Sequence, residues 1–282
     1  MAALGLGGED LSSQDDEREV TMKTVSVTAM ELLYLSARLG VDNIWDLDET
    51  FSELTEDNAE RKIARLQDSL LKKGALLPQL DEGTIVEEET KKLLLSCGAW
   101  ETVVILSSSE MEKKRERLRF FFHGSGLVRY EFRGDAAVLS STTKEELSDE
   151  VKSFFREAED VTQTDSLVAS AAKLRRIGGL SRNRFLQELS CLGCGKEFST
   201  LIADSLQGNP DICSFVCIQN RNGEEVLKNK LVTLRLPGQG LIVRPEVADG
   251  RESIRFTRLS KGQLDETVNS ILEEWETDGD GQ

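Results

Sequence analysis

"FFFHGSGLVRY" (Phe120–Tyr130) and "TLRLPGQGLIVRP" (Thr233–Pro245) decide how this chain is read. Each is an apolar, strand-like run that breaks at closely spaced glycines and resumes as a second such run. Glycine supplies positive φ at no steric cost, so each stretch predicts a hairpin. Setting Gly238 on Gly124 superposes the two stretches at an offset of 114 residues. One turn made twice predicts a duplicated unit.

The flanking sequence extends the match. "ETVVILS" precedes the first hairpin and "SFVCIQ" the second, while "LVRYEF" and "AAVLS" continue the first as a meander. In "RLRFFFH" a period of two puts Leu118, Phe120 and Phe122 on one face and Phe121 on the other. "TTKEELSDEVKSFFREA" closes the first half as a helix, with Leu147, Val151, Phe154 and Phe155 on one side. Leu264, Val268, Ile271 and Leu272 repeat that stripe near the C-terminus. Upstream, Val27–Gly40 reads as a helix capped by Thr28, with Glu31 completing a capping box and Gly40 as the stop. It aligns without gaps on Leu180–Gly193 at an offset of 153 residues, Ser181 taking the place of Thr28. Further helices are predicted at about 57–73, with Ile63, Leu66 and Leu70 on one face, and within "IVEEETKKLLLSCG". The shrinking offset predicts that the second half lacks an insertion near Glu53–Lys73.

The expected fold class is α+β. Two quasi-symmetric halves, each of helices, an antiparallel meander sheet and a closing helix, would be related by a pseudo-twofold axis. Residues 1–20 are expected to be a disordered acidic arm, 21–157 the N-terminal half, 158–170 a linker, 171–276 the C-terminal half and 277–282 a disordered tail.

Composition narrows function. Hydrophobic residues make up 39% of 282, enough for a sizeable core, and a net charge of −16 repels phosphate backbones, which disfavours nucleic acid. No apolar run approaches the roughly 20 residues that span a bilayer, and the N-terminus lacks a basic and then apolar leader pattern. No stable membrane association is expected, and a cytoplasmic location is. The five cysteines then read as thiols.

Four of them, Cys191, Cys194, Cys213 and Cys217, have the number to hold zinc tetrahedrally. The first half has Arg38, Val41 and Ile105 where Cys191, Cys194 and Cys217 fall, so a shared fold does not require that metal. Buried or helix-end thiols are the expectation, with no metal and no cofactor. His123, the only histidine, reads as a turn residue beside Gly124. The glycine clusters fit neither a phosphate-binding loop nor a dinucleotide fingerprint, and no constellation makes an active site. A non-enzyme is expected. The helix at 57–73 followed by "LLPQLDEGTIVEE" leaves open a winged-helix regulator, although that helix is not net basic. Arg117, Arg119, Arg129, Arg133, Arg235 and Arg255, with Phe121 among them, are read as the outward face of the meanders. Such a composition is enriched at protein interfaces.

"VTAMELLYLSARLGV", with the two meander-bearing halves behind it, resembles the opening helix of the EspG-type proteins of type VII secretion systems and their Gram-positive relatives. The resemblance runs from about Met22 to Trp275. It implies a cytoplasmic chaperone that shields the apolar tip of a helical-hairpin substrate. The partners implied are small helical secreted proteins of the WXG100, LXG or PE/PPE type. Contacts from the sheet and from helices of the second half would fall on Arg119, Phe121, Arg129, Arg235, Leu264 and Trp275.

Overall fold

The computed structural model describes residues 23–41, 59–80, 83–155, 165–248 and 250–260, together with Gly262 and Asn269. The expected acidic arm, the C-terminal tail and the helix carrying Leu264 and Trp275 lie outside them. The fold is α+β, built on one antiparallel ten-stranded sheet.

In chain order the first part runs β1 (Thr24–Thr28), α1 (Ala29–Leu39), α2 (Ala59–Lys72), the hairpin β2 (Leu76–Pro78) and β3 (Thr84–Val86), and α3 (Glu88–Gly98). A meander follows: β4 (Thr102–Ser108), α4 (Ser109–Lys114), β5 (Glu116–His123), β6 (Gly126–Arg133) and β7 (Ala136–Ser141), then α5 (Lys144–Phe154). The second part runs β8 (Ser166–Ser170), α6 (Ala171–Gly178), α7 (Arg182–Cys191) and α8 (Lys196–Gln207). Its meander is β9 (Asp211–Arg221), β10 (Glu224–Leu236), β11 (Gln239–Ala248) and β12 (Arg251–Arg258). The large sheet is ordered β1-β7-β6-β5-β4-β9-β10-β11-β12-β8, with β4 and β9 meeting at the middle.

Cross-strand partners share a face of a sheet, and this fixes the layers. Val103 pairs with Ile218, and Ser214 with Val232, so one face runs unbroken across the seam. On that face α1–α3 cover a core containing Leu32, Leu94, Val103, Phe121 and Tyr130, and α6–α8 cover another containing Phe185, Phe198, Leu201, Leu234 and Leu241. On the opposite face α5 sets Leu147, Val151 and Phe155 against Val104, Phe120, Phe215, Cys217 and Leu231, residues drawn from both meanders.

Local sequence explains the ends of α1. Thr28 Oγ1 accepts from Glu31 N at 3.2 Å, Glu31 Oε2 accepts from Thr28 N at 2.7 Å, and Gly40 closes the helix at φ +68°. Glu31 is buried and takes a second bond from Lys73 Nζ at 2.6 Å, tying α1 to the end of α2. Burial pushes the Glu31 carboxyl up, but Lys73, Ser69 and the Thr28 N–H outweigh it and leave the pKa below the ordinary value.

Several expectations need correcting. Thr28 caps the helix that follows an edge strand paired with the last meander strand, β7. The second part has this arrangement at β8, which pairs with β12, and α6, whose cap Ser170 Oγ accepts from Lys173 N at 3.3 Å. In place, α1 therefore answers to α6 rather than to α7, and Ser181 makes no side-chain cap bond. The end of the expected linker, Ser166–Ser170, is this edge strand. A helix, α7, also stands between α6 and α8 as α2 stands between α1 and α3, so ahead of the meanders the described excess of the first part is the β2–β3 hairpin. Ile63 on α2 is exposed, while Leu70 is buried.

Candidate functional site: the open seam

Among the described residues, α1–α3 and α6–α8 leave the middle of their face of the sheet without a helix along it, apart from α4 at one end. α3 packs on β5, β6 and β7, and α8 on β10 and β11, so β4 and β9 lie between them. From β5 to β10 is three strand spacings, about 14 Å. An α-helix with its side chains is about 10–12 Å across. The gap therefore has the width of one helix. Its floor presents Ile105, Ser107, Ser214 and Val216, all half-buried, and Ile212, which is 46% exposed. Ser107 Oγ and Ser214 Oγ bond each other across the seam at 2.7 Å, and the floor is otherwise apolar.

One end of this trough opens into a cavity of about 690 Å³ lined by Ser109, Lys113, Leu206, Pro210, Ile212 and Leu234 among others. Ser109 Oγ accepts from Ile212 N at 2.8 Å, so the first turn of α4 is fastened to the start of β9. Leu206, at the end of α8, is 44% exposed and faces this cavity with Ile212.

The arginines anticipated on one outward face divide between two. Arg119 pairs with Tyr130 and lies on the α1–α3 side, where Arg119 is 6% and Phe121 2% exposed. Neither presents a surface. Arg129 pairs with Phe120 and lies on the α5 side, where its guanidinium bonds Glu131 at 2.6 Å and Glu150 at 3.5 Å. Arg235, on the same side, is bound to Asp211. Burial raises the Asp211 pKa, but Arg235 holds it below the ordinary value. Arg133 is tied to Glu131, and Arg255 to Glu246 at 2.8 Å. These cations are neutralised by local carboxylates. Leu264 and Trp275 lie outside the described residues.

The four cysteines do not converge. Cys194 lies in the core under α6–α8, Cys213 and Cys217 lie in the α5 core on the other face of the sheet, and Cys191 is exposed. Burial pushes the Cys213 thiol up to about 12, which opposes the thiolate that a metal needs. Among the described residues no group of three or more His, Cys, Asp or Glu is placed to hold a metal ion. The helix and hairpin weighed as a winged helix, α2 and β2–β3, are part of the layer over the sheet, with Leu70 and Leu76 in its core.

Reading the sequence alone missed Ile105, Ile212, Val216 and Leu206. Their signal was present as half-apolar strands, but it needed the pairing of β4 with β9 to place them side by side.

No protein-family model matches the chain, and no curated protein matches it. Among solved structures it is similar to the Mycobacterium tuberculosis type VII secretion system chaperone EspG5, solved in complex with a PE25–PPE41 dimer. The TM-score is 0.62 at 11% identity, and the alignment covers 89% of this chain and 96% of that one. At that identity the likeness is one of fold.

Proposed function

We propose that the chain is a non-enzymatic cytoplasmic chaperone or adaptor for small helical secreted proteins, of the PE/PPE or WXG100 kind, exported by a type VII secretion system. The observation that carries this reading is the near full-length likeness to a chaperone of that system. The open seam supplies the physics. A substrate tip with bare apolar side chains self-associates. A trough one helix wide with an apolar floor covers such a tip reversibly, without nucleotide or chemistry. We also propose that the two meanders arose by duplication and are related by a twofold through the β4–β9 seam, which would make the trough the centre of the molecule.

Co-expression with a PE/PPE-type heterodimer tests the reading. A complex should co-elute on size exclusion, and Ile212→Glu with Val216→Glu should weaken it roughly tenfold or more, since a carboxylate would be desolvated against an apolar tip. Arg129→Ala should leave it intact. Failure of both PE/PPE and WXG100 partners to co-elute ends this reading, and tight binding by the double variant moves the site elsewhere.

A further inference from the structure

The cavity at the end of the trough has in its wall a hydroxyl that the fold leaves unused. α8 buries Phe198, Leu201, Ile202 and Ser205, a stripe at i, i+3, i+4 and i+7. The first three belong to the core under α6–α8. The fourth comes where α8 runs out at the cavity, whose lining it shares with Leu206 and Leu234. Ser205 is 2% exposed, and among the described residues its Oγ has no hydrogen-bond partner. A buried hydroxyl without a partner destabilises the fold that holds it. The other hydroxyl of the lining, that of Ser109, is engaged: it accepts from Ile212 N at 2.8 Å and lies 3.3 Å from Ile212 O.

The rest of the lining defines what would satisfy Ser205. Leu206 and Ile212 are half-exposed there, and Pro210 and Leu234 complete an apolar surface, so the body of an occupant is apolar. The wall made by α8 is its C-terminal turn. The last carbonyls of an α-helix lack intrahelical donors and carry the negative end of its dipole, and α8 has no basic residue in that turn. Carbonyls and a hydroxyl together suit a hydrogen-bond donor. Lys113 stands on the α4 side of the lining, so a cationic donor would meet like charge. The two carboxylates of the lining are already engaged, Glu110 by Lys114 at 2.7 Å and Asp211 by Arg235. What fits is a neutral donor on an apolar body. Among side chains that is a phenol or an indole, both of them types that concentrate binding energy at protein interfaces.

We propose that this cavity is an anchor site for one neutral aromatic side chain bearing a hydrogen-bond donor, tyrosine or tryptophan, at the tip of the partner. The ring lies against Leu206, Ile212 and Leu234, and its O–H or N–H is donated to Ser205 Oγ or to the carbonyls beside it. At about 690 Å³ the cavity has room for such a side chain together with the turn of chain that carries it. That the ring arrives on a secretion substrate rests on the reading above, whereas the chemistry of the cavity does not.

The probes are p-cresol, which reproduces the tyrosine side chain, and toluene, the same ring without the hydroxyl. Each is titrated into the full chain to millimolar concentration and followed by amide chemical shifts. Toluene is the more hydrophobic of the two, so a merely apolar hole would favour it. p-Cresol should instead bind roughly fivefold more tightly, with the shifts centred on Leu206, Asn209 and Ile212. Ser205→Ala should abolish that preference. Because it removes a hydroxyl that bonds nothing, it should also leave the urea midpoint unchanged or raised. Toluene bound as tightly as p-cresol, a preference that survives Ser205→Ala, a lowered urea midpoint in that variant, or no shifts with millimolar p-cresol each overturns the proposal. p-Cresol bound as expected while no PE/PPE or WXG100 partner co-elutes keeps the anchor site and ends the secretion reading, and the reverse result ends the anchor site and keeps that reading.

Discussion

In the first meander β4 passes to β5 through α4, whose first turn is capped by Ser108 Oγ accepting from Met111 N at 3.1 Å, and β6 passes to β7 at Gly134–Asp135. In the second meander the corresponding connections are the exposed β9–β10 ribbon and the β11–β12 arm, while the helix layer lacks the β2–β3 hairpin of the first. The strands between these connections agree in order and in which face they bury. Ladder bonding and two packed faces constrain a central strand on all sides, whereas a connection at the end of the sheet is bound by neither. Stability therefore gathers where the halves agree, and variation is tolerated where they differ.

The sharpest way to break that comparison is to empty matched positions of the two helix-covered cores. Phe121→Ala and Leu234→Ala remove buried side chains that face α1–α3 and α6–α8 respectively. Phe121 is 2% exposed and should cost about 3–5 kcal/mol, and Leu234 about 2–5 kcal/mol, read as a lowered urea midpoint. Phe121→Ala should leave partner affinity unchanged in the fraction that remains folded. A small loss of stability with a large loss of affinity would return Phe121 to the surface role first expected of it.

That expectation shows what the sequence did and did not disclose. Strands, helices and the Thr28 capping box were legible because each rests on local periodicity and local hydrogen bonds. Register was not. Matching glycine to glycine put Gly238 on Gly124, but the loop in the first hairpin is Gly124–Ser125, with His123 paired to Gly126, and in the second Pro237–Gly238, with Leu236 paired to Gln239. Positive φ falls on the first loop residue in one, Gly124 at +55°, and on the second in the other, Gly238 at +71°. The turns are of different types, and the offset by place is 113 rather than 114. A slip of one residue sends every side chain to the other face. On the corrected register Phe121 answers to Leu234 and Leu118 to Leu231, and each pair buries alike. A two-residue loop also makes partners of odd and even residues, so Arg119 shares a face with Tyr130 and cannot share one with Arg129. The seam was illegible for another reason, since pairing between strands more than a hundred residues apart leaves no local trace.

The first half should also loosen in acid at a defined place. Burial pushes the Glu87 carboxyl up, but bonds from Lys23 and from the N–H and hydroxyl of Thr90 outweigh it and bring its pKa from 4.5 down to about 2. Its partner Lys23 lies beside the start of β1, so the pair joins the first edge strand to the N-terminus of α3. A carboxylate held below its unfolded pKa stabilises the fold above that value and ceases to do so as pH falls through the folded one. Stability carried by Glu87 is thus present above about pH 4.5 and lost toward pH 2. Hydrogen exchange should show β1 and α3 loosening in that window, and Glu87→Gln should flatten this dependence. An unchanged acid profile in the variant would mean that the pair does not hold the edge.

The smallest effect discriminates best between the two ways of matching the halves. Thr28 makes a reciprocal capping box, Ser170 a single cap bond and Ser181 none. Losing a cap hydroxyl costs about 1 kcal/mol, and losing one that caps nothing costs only a few tenths. Thr28→Ala should therefore lower stability by about 1 kcal/mol, Ser170→Ala by about half to all of that, and Ser181→Ala by nearly nothing. Thermal or urea unfolding of the three variants orders them directly. If Ser181→Ala matches Thr28→Ala while Ser170→Ala is silent, then α7 is the true counterpart of α1 and the match by strand pairing fails. If Ser170→Ala follows Thr28→Ala, the edge strand and its capped helix are the repeated element, and the seam between β4 and β9 stands midway between two equivalent edges.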